Sequence, residues 1–281
     1  MKPAPFEFAL ARDVDHAAAL LAGGSAKVLA GGQSLMPLLN FRMLRPELLV
    51  DINRIPGLER IEATAHGLRI GALARHCAVA ASPLVAERAP AVVEALEQVA
   101  HFTVRNRGTF VGSVCHADPA AEMPMMALLY DGVVEAKSAR GVRKIAARDF
   151  FVGPLMTVLE PDEMATGVEL SPPAGRHGFA FEEYARRRGD FALAAVGVLV
   201  TAGAGEVRIG LCGVGDTPLR AAEAERLLTG SSFDADAVAK AVAAIRAQVE
   251  PMSDLHASAD YRRHLVGVLA ERALARAWGR A

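Results

Sequence analysis

Cysteine is scarce in this chain. Only Cys77, Cys115 and Cys212 occur in 281 residues, and they are far apart. Three scattered thiols build no disulfide framework, and an iron–sulfur cluster takes about four thiolates. The pattern predicts a reducing, cytoplasmic setting. Charge of one sign is not in excess either: 31 basic and 32 acidic side chains leave a net charge of −1. No basic surplus points to nucleic acid or to an anionic membrane face. No run reaches the ~18 uninterrupted apolar residues of a membrane span. Arg12, Asp13 and Asp15 break the one apolar stretch near the start, so no secretory leader is expected. A Gly-Lys-Ser/Thr phosphate loop is missing, so any diphosphate would be held mainly by backbone donors. Internal repeats and low-complexity tracts are absent as well.

What is present is ample apolar material, 52% of the residues, enough for two or three compact units. Residues 1–56 read as an N-terminal α/β unit. It has a helix from Asp15 to Leu21 ended by Gly23-Gly24, a strand Lys27 to Ala30, a helix Leu35 to Arg42 and a strand Leu48 to Ile52. Residues 57–175 read as a second unit, with a hairpin turning at His66-Gly67. A mostly helical stretch at 75–102 follows, interrupted near Pro83 and Pro90, and then a helix Glu122 to Tyr130. The cluster Ser171-Pro172-Pro173-Ala174-Gly175 marks a boundary. Residues 176–281 form the third unit, with strands near 179–185, Leu193 to Thr201 and Val207 to Val214. Its helices are expected near 219–228, 235–249 and 258–277.

Two glycine turns carry the chemistry. Ala30-Gly31-Gly32-Gln33-Ser34-Leu35 joins a strand to a helix, and Arg107 to Pro124 holds the second turn. A strand, glycine turn and helix in that order leave backbone N–H groups free at a helix start, where they suit an anionic phosphate. Two such turns can grip the two phosphates of one dinucleotide, the shape of a flavin adenine dinucleotide (FAD) site. The spacing does not match the G-x-G-x-x-G of a nicotinamide fold, although Asp51 lies at a suitable distance. In the second motif the Asp118-Pro119 step predicts a turn after a strand. Pro119 is expected to open a helix, with Glu122 one turn in and free to accept from a ribose hydroxyl. His116, Asp118 and Glu122 are too tightly spaced around a proline to converge on a metal. Cys115 has no evident basic partner and reads as a buried small side chain. His66 and His101 read as loop or surface residues. Arg186-Arg187-Arg188 is a solvated basic turn or a face for an acidic partner.

These residues resemble a known family. The Ala30–Leu35 motif with its following helix and Leu-Val-Asp-Ile strand, Asn106 to Pro124, Tyr184 to Val196 and Ser253 to Leu265 together are similar to the FAD-binding medium subunit of molybdenum hydroxylases, the aerobic carbon monoxide dehydrogenase and xanthine dehydrogenase group. The resemblance runs over nearly the whole chain. It implies an α+β architecture: a two-subdomain FAD-binding fold (PCMH-type), then a C-terminal α+β domain with a three-stranded antiparallel sheet and helices. It implies FAD contacts at Val28, Leu29, Ala30, Gly31, Gly32, Gln33, Ser34, Leu35 and Met36, at Thr109, Phe110, Val111, Gly112 and Ser113, and at Glu122. Val111 stands where the family has glycine, and Glu182 where some relatives have a basic contact.

The implied role is electron transfer from iron–sulfur clusters of a partner subunit through FAD to an external acceptor. The partners would be a large molybdopterin subunit and a small 2Fe-2S subunit, in a dimer of heterotrimers. Molybdopterin and the clusters would sit on those partners and not on this chain. Two other readings are a self-sufficient FAD-dependent oxidase or dehydrogenase, and a non-catalytic assembly factor that retains the fold.

Overall fold

The computed structural model describes residues 2–281. The chain begins with β1 (Glu7–Leu10), α1 (Val14–Leu21), β2 (Ala26–Leu29), α2 (Leu35–Asn40) and β3 (Leu48–Asp51). The strands form a parallel sheet in the order β1-β3-β2. Asp13 starts α1 by accepting the His16 N–H at 2.7 Å, and the helix buries Ala17, Ala18 and Leu21. Leu29 lies opposite Asp51 in the β2–β3 register, so the first glycine turn leaves the sheet at its carboxyl edge. Open parallel sheets bind ligands at that edge.

The next stretch holds the hairpin β4 (Ile61–Ala63) and β5 (Leu68–Gly71), then α3 (His76–Ala80), α4 (Pro83–Arg88), α5 (Pro90–Gln98) and α6 (Phe102–Arg105). Pro83 and Pro90 each occupy a first helical turn, where a missing N–H costs nothing. After these come α7 (Phe110–His116), α8 (Glu122–Leu129), β6 (Val133–Ser138), β7 (Gly141–Ala146), β8 (Phe151–Gly153), β9 (Met156–Thr157) and β10 (Met164–Leu170). A five-stranded antiparallel sheet runs β4-β5-β10-β6-β7, and β8 pairs with β9 alone.

The second glycine motif differs from expectation. Residues 110–116 are helix α7, not strand and turn. Thr109 Oγ1 accepts the Gly112 N–H at 3.0 Å and caps the helix, which buries Phe110, Val111 and Val114. Pro119 opens no helix. The Asp118 carboxylate accepts the Ala120 N–H at 2.9 Å and holds residues 118–120 in a turn. Glu122 is therefore the first residue of α8 rather than a residue one turn in.

The last stretch is β11 (His177–Tyr184), β12 (Ala194–Thr201), β13 (Val207–Cys212), β14 (Leu219–Arg220), α9 (Ala222–Leu228), α10 (Ala235–Gln248) and α11 (Ala259–Trp278). The three expected strands pair antiparallel in sequence order. The two-residue β14 adds an edge, because residues 219–220 extend along β13 before α9 starts. One face of this sheet packs under α9 to α11. The other covers α8, a helix buried on every side. Gly197 and Gly210 face each other across β12 and β13. A Cβ on Gly197 would come within 2.8 Å of Leu129, and one on Gly210 within 2.9 Å of the Met125 sulfur, so this glycine pair forms the seat for α8. Glu94 of α5 ties the same contact by accepting from Arg276 at 3.0 Å, Arg280 at 2.8 Å and the Phe181 N–H at 2.9 Å. Glu182 lies on the same contact and also pairs with Arg276. Among the described residues, no helix is long and apolar enough to cross a membrane.

Candidate cofactor site

A cleft of about 820 Å³ opens where the first glycine turn faces α7. That volume is in the range of small-molecule sites. Of the residues expected at a cofactor, Val28, Ala30 to Leu35, Thr109, Val111 to Ser113 and Glu122 line it. Leu29, Met36 and Phe110 do not. The first two lie beneath Gly32, and Phe110 is buried in the core.

The local backbone explains the glycines. Gly32 has φ of +71°, a conformation that costs a side-chain-bearing residue energy. A Cβ there would also come 3.2 Å from Leu29 and 3.3 Å from Met36. Gly31 lies directly against the second loop, where a Cβ would strike the Arg107 carbonyl and come 2.8 Å from the Gly108 Cα. The two motifs thus touch through backbone. Among the described residues, the N–H groups of Gly31, Gly32, Gln33, Ser34 and Leu35 find no protein acceptor, and neither do those of Thr109 and Val111. Val111 has no positive φ and sits in the first turn of α7, so valine is unstrained there.

A polar brace holds the motifs together. Asn53, just past β3, donates to the Ala30 carbonyl at 2.9 Å and to Asp51 at 2.6 Å. Arg75 donates to Asn53 Oδ1 at 2.5 Å and, with its other nitrogen, to the Arg107 carbonyl. The second loop is also pinned by His76 N–H to Gly108 O at 2.9 Å and Phe110 N–H to Ala74 O at 3.1 Å.

The charged-type residues lining the cleft are Lys27, Glu122, Glu160, Glu163 and Asp190. Glu122 is 4% exposed. Burial first, then the nearby Glu183 and Asp118 carboxylates, push its pKa up to about 8. Burial holds His76 down at about 4, with Arg105 adding to the effect, so its ring is neutral. Burial lowers the pKa of His116, which Asp118 partly offsets, and raises the Cys115 thiol to about 12. Among the described residues, no three His, Cys, Asp or Glu side chains are grouped to hold a metal ion.

Several cleft features lie outside the sequence motifs. Asn53, two residues past β3, and Arg75, which caps the start of α3, brace the glycine motifs without lining the cleft, and no spacing signals them. His76 lines the cleft but is buried beside Gly108. Gly189, Asp190 and Phe191 reach the cleft from the C-terminal third, and Phe191 is 58% exposed. Their approach follows the basic turn, where Arg186 meets His256 at 2.9 Å and Arg187 meets Asp190 at 3.2 Å. His66 and His101 are exposed, as expected.

These residues fit a dinucleotide. A row of unsatisfied N–H groups starts beside a helix, glycines permit close backbone approach, and no carboxylate lines the turn itself.

Comparison with known proteins agrees. Residues 4–173 match the family described as FAD binding domain in molybdopterin dehydrogenase, and residues 179–277 match the CO dehydrogenase flavoprotein C-terminal domain. The chain is 41% identical to the alpha subunit of the 6-hydroxypseudooxynicotine dehydrogenase complex of Paenarthrobacter nicotinovorans, over 100% of this chain and 97% of that one. It is 36% identical to the carbon monoxide dehydrogenase medium chain of Afipia carboxidovorans, over 100% and 99%. Among solved structures, reconstituted CO dehydrogenase from Oligotropha carboxidovorans superposes with a TM-score of 0.97 at 35% identity, covering 100% of both chains. Quinoline 2-oxidoreductase from Pseudomonas putida 86 does so at 0.94 and 35%, covering 99% of both.

Proposed function

The chain belongs to the family of FAD-binding medium subunits of molybdenum hydroxylases, and from that membership we propose that it passes electrons from a partner subunit's iron–sulfur clusters through its FAD to an external acceptor. It is an oxidoreductase subunit of a multi-subunit enzyme, and FAD is its cofactor. When bound, FAD supplies the redox chemistry; the protein supplies binding, orientation and tuning.

The observation that carries this reading is the pair of glycine motifs meeting backbone to backbone around free N–H groups. Gly31 to Ser34 would hold the diphosphate, with Thr109 to Ser113 closing on it from α7. Val28 and Leu35 would wall the cleft. Leu29, Met36 and Phe110 would act from behind, by shaping the backbone. Glu122 would accept from a ribose hydroxyl. Of the cleft's candidate nucleophiles and bases, the Cys115 thiol stays protonated and His76 is buried and neutral beside Gly108. That favours an electron-transfer subunit over a self-sufficient flavoenzyme.

The partners in this reading are a large molybdopterin subunit and a small 2Fe-2S subunit, arranged as a dimer of heterotrimers in the cytoplasm. The division 1–56, 57–175 and 176–281 is part of the same proposal. It is supported by the three larger sheets, whose strands lie at 7–51, 61–170 and 177–220; the two-stranded β8–β9 pair falls within the middle segment.

The test is native mass measurement of the complex from its host, with flavin absorbance followed on adding the enzyme's substrate. The reading requires iron- and molybdenum-containing partners and flavin bleaching only when they are present. Bleaching of the isolated chain by a substrate, with no partner, would replace it with the self-sufficient flavoenzyme.

A further inference from the structure

Helix α5 ends at Gln98, and Ala100, two residues on, has φ of +41°, the left-handed region where a helix usually ends on glycine. A side chain makes that conformation costly, and it persists only where its surroundings enforce it. Arg105, the last residue of α6, enforces it. One guanidinium nitrogen donates to the Val99 carbonyl at 2.7 Å and to the Ala100 carbonyl at 2.8 Å. Val99, Ala100 and Val104 line the cleft, and Arg105 does not.

The C-terminal third rests on the same residue. The turn Arg187 to Asp190 is closed by Asp190 N–H to Arg187 O at 3.0 Å, and Gly189 at its third position has φ of +87°. A Cβ on Gly189 would come 3.0 Å from the Ala100 carbonyl carbon and 3.1 Å from its oxygen. Two backbones therefore press together with no side chain between them. One is left-handed because it is glycine, the other because Arg105 holds it. Gly189, Asp190 and Phe191 continue from that contact as a wall of the cleft. Arg105 thus reaches this wall through one intermediate, the Ala100 carbonyl to which it donates.

We propose that Arg105 is a positioning residue for the cofactor: by fixing the Ala100 turn it seats Gly189, and so holds the Gly189–Phe191 wall of the FAD cleft in place. The inference rests on the assignment of that cleft to FAD. Without the two hydrogen bonds, the left-handed Ala100 relaxes toward ordinary backbone and the seat under Gly189 shifts. The wall then loosens, while the two glycine motifs and the Asn53–Arg75 brace between them stay as they are. The loss falls on release of FAD more than on its capture, because the grip that first engages the cofactor is intact.

The experiment measures the rates of FAD release and uptake in the assembled enzyme, with this chain as wild type or variant. Arg105→Ala should release FAD about tenfold faster, with uptake little changed. Ala100→Gly removes the conformational cost that Arg105 offsets, so in that background the same Arg105→Ala change should speed release by only about threefold. Gly189→Ala attacks the contact from the other side and should also speed release. Combined with Arg105→Ala it should cost clearly less than the product of the two single effects, since one seat is lost only once. The melting temperature reads the fold separately: a general loss of stability would lower it and would not be relieved by Ala100→Gly. Should Arg105→Ala fail to assemble, Arg105→Lys, which keeps one donor, carries the same comparison. Unchanged release in Arg105→Ala, an equal effect of it with alanine or glycine at position 100, or fully multiplicative effects with Gly189→Ala would each overturn the proposal alone. An assembled enzyme that binds no FAD in any form overturns the cofactor assignment and this proposal with it.

Discussion

Arg75 and Asn53 are bonded side chain to side chain, at 2.5 Å, between the two glycine motifs. Asn53 holds the carbonyl of Ala30, and Arg75 holds that of Arg107. Two loops far apart in sequence are thus fixed relative to each other by side chains that need not touch the cofactor. Arg75→Ala removes two hydrogen bonds, each contributing roughly 1 kcal/mol, so FAD affinity should fall by about thirtyfold. Fluorescence titration with FAD checks this; unchanged affinity would mean that the loops hold their geometry without the brace.

Gly32→Val should yield a folded protein that purifies without flavin. Valine is disfavoured at φ of +71°, and its Cβ meets Leu29 and Met36. Circular dichroism should be near wild type, while the absorbance ratio at 450 and 280 nm collapses. Full flavin occupancy would place the phosphate grip elsewhere.

Glu122→Ala should weaken FAD retention on dialysis and leave the flavin reduction potential nearly unchanged, since Glu122 is assigned to the ribose end. A large change in potential at normal affinity would place the carboxylate beside the reactive ring.

Alkylation at about pH 8 should modify Cys77 and spare the other two cysteines. The thiolate is the nucleophile, and Cys77 is exposed. Burial raises the pKa of Cys115 to about 12 and pushes Cys212 well up, so both remain thiols until far above that pH. Peptide mass mapping after labelling decides it; early labelling of Cys115 would show that the cleft opens in solution.

The first motif was legible because strand, glycine turn and helix follow one another locally. Lys27 to Leu35 folds much as its own spacing predicts. The second was harder to read. Gly108 and Gly112 suggest a turn, yet the Thr109 cap and the apolar run Phe110, Val111 and Val114 win as helix α7. β1 escaped because Glu7 to Leu10 shows no alternation; its pairing is set by β3, about 40 residues later. Asn53, Arg75 and Phe191 carry no signal in the sequence, for a shared reason. Each acquires its role from a neighbour distant in the chain, and no residue spacing records such a meeting.

Phe191 has one more consequence. The segment that matches the FAD-binding family ends at residue 173, but Gly189 to Phe191 complete a wall of the cleft, and a Cβ on Gly189 would come 3.0 Å from the Ala100 carbonyl carbon. The cofactor module and the folding module therefore have different borders. A protein engineer who excises 4–173 as a portable flavin cassette leaves it with an unglazed window, while a graft that carries residues through β12 transplants the whole frame.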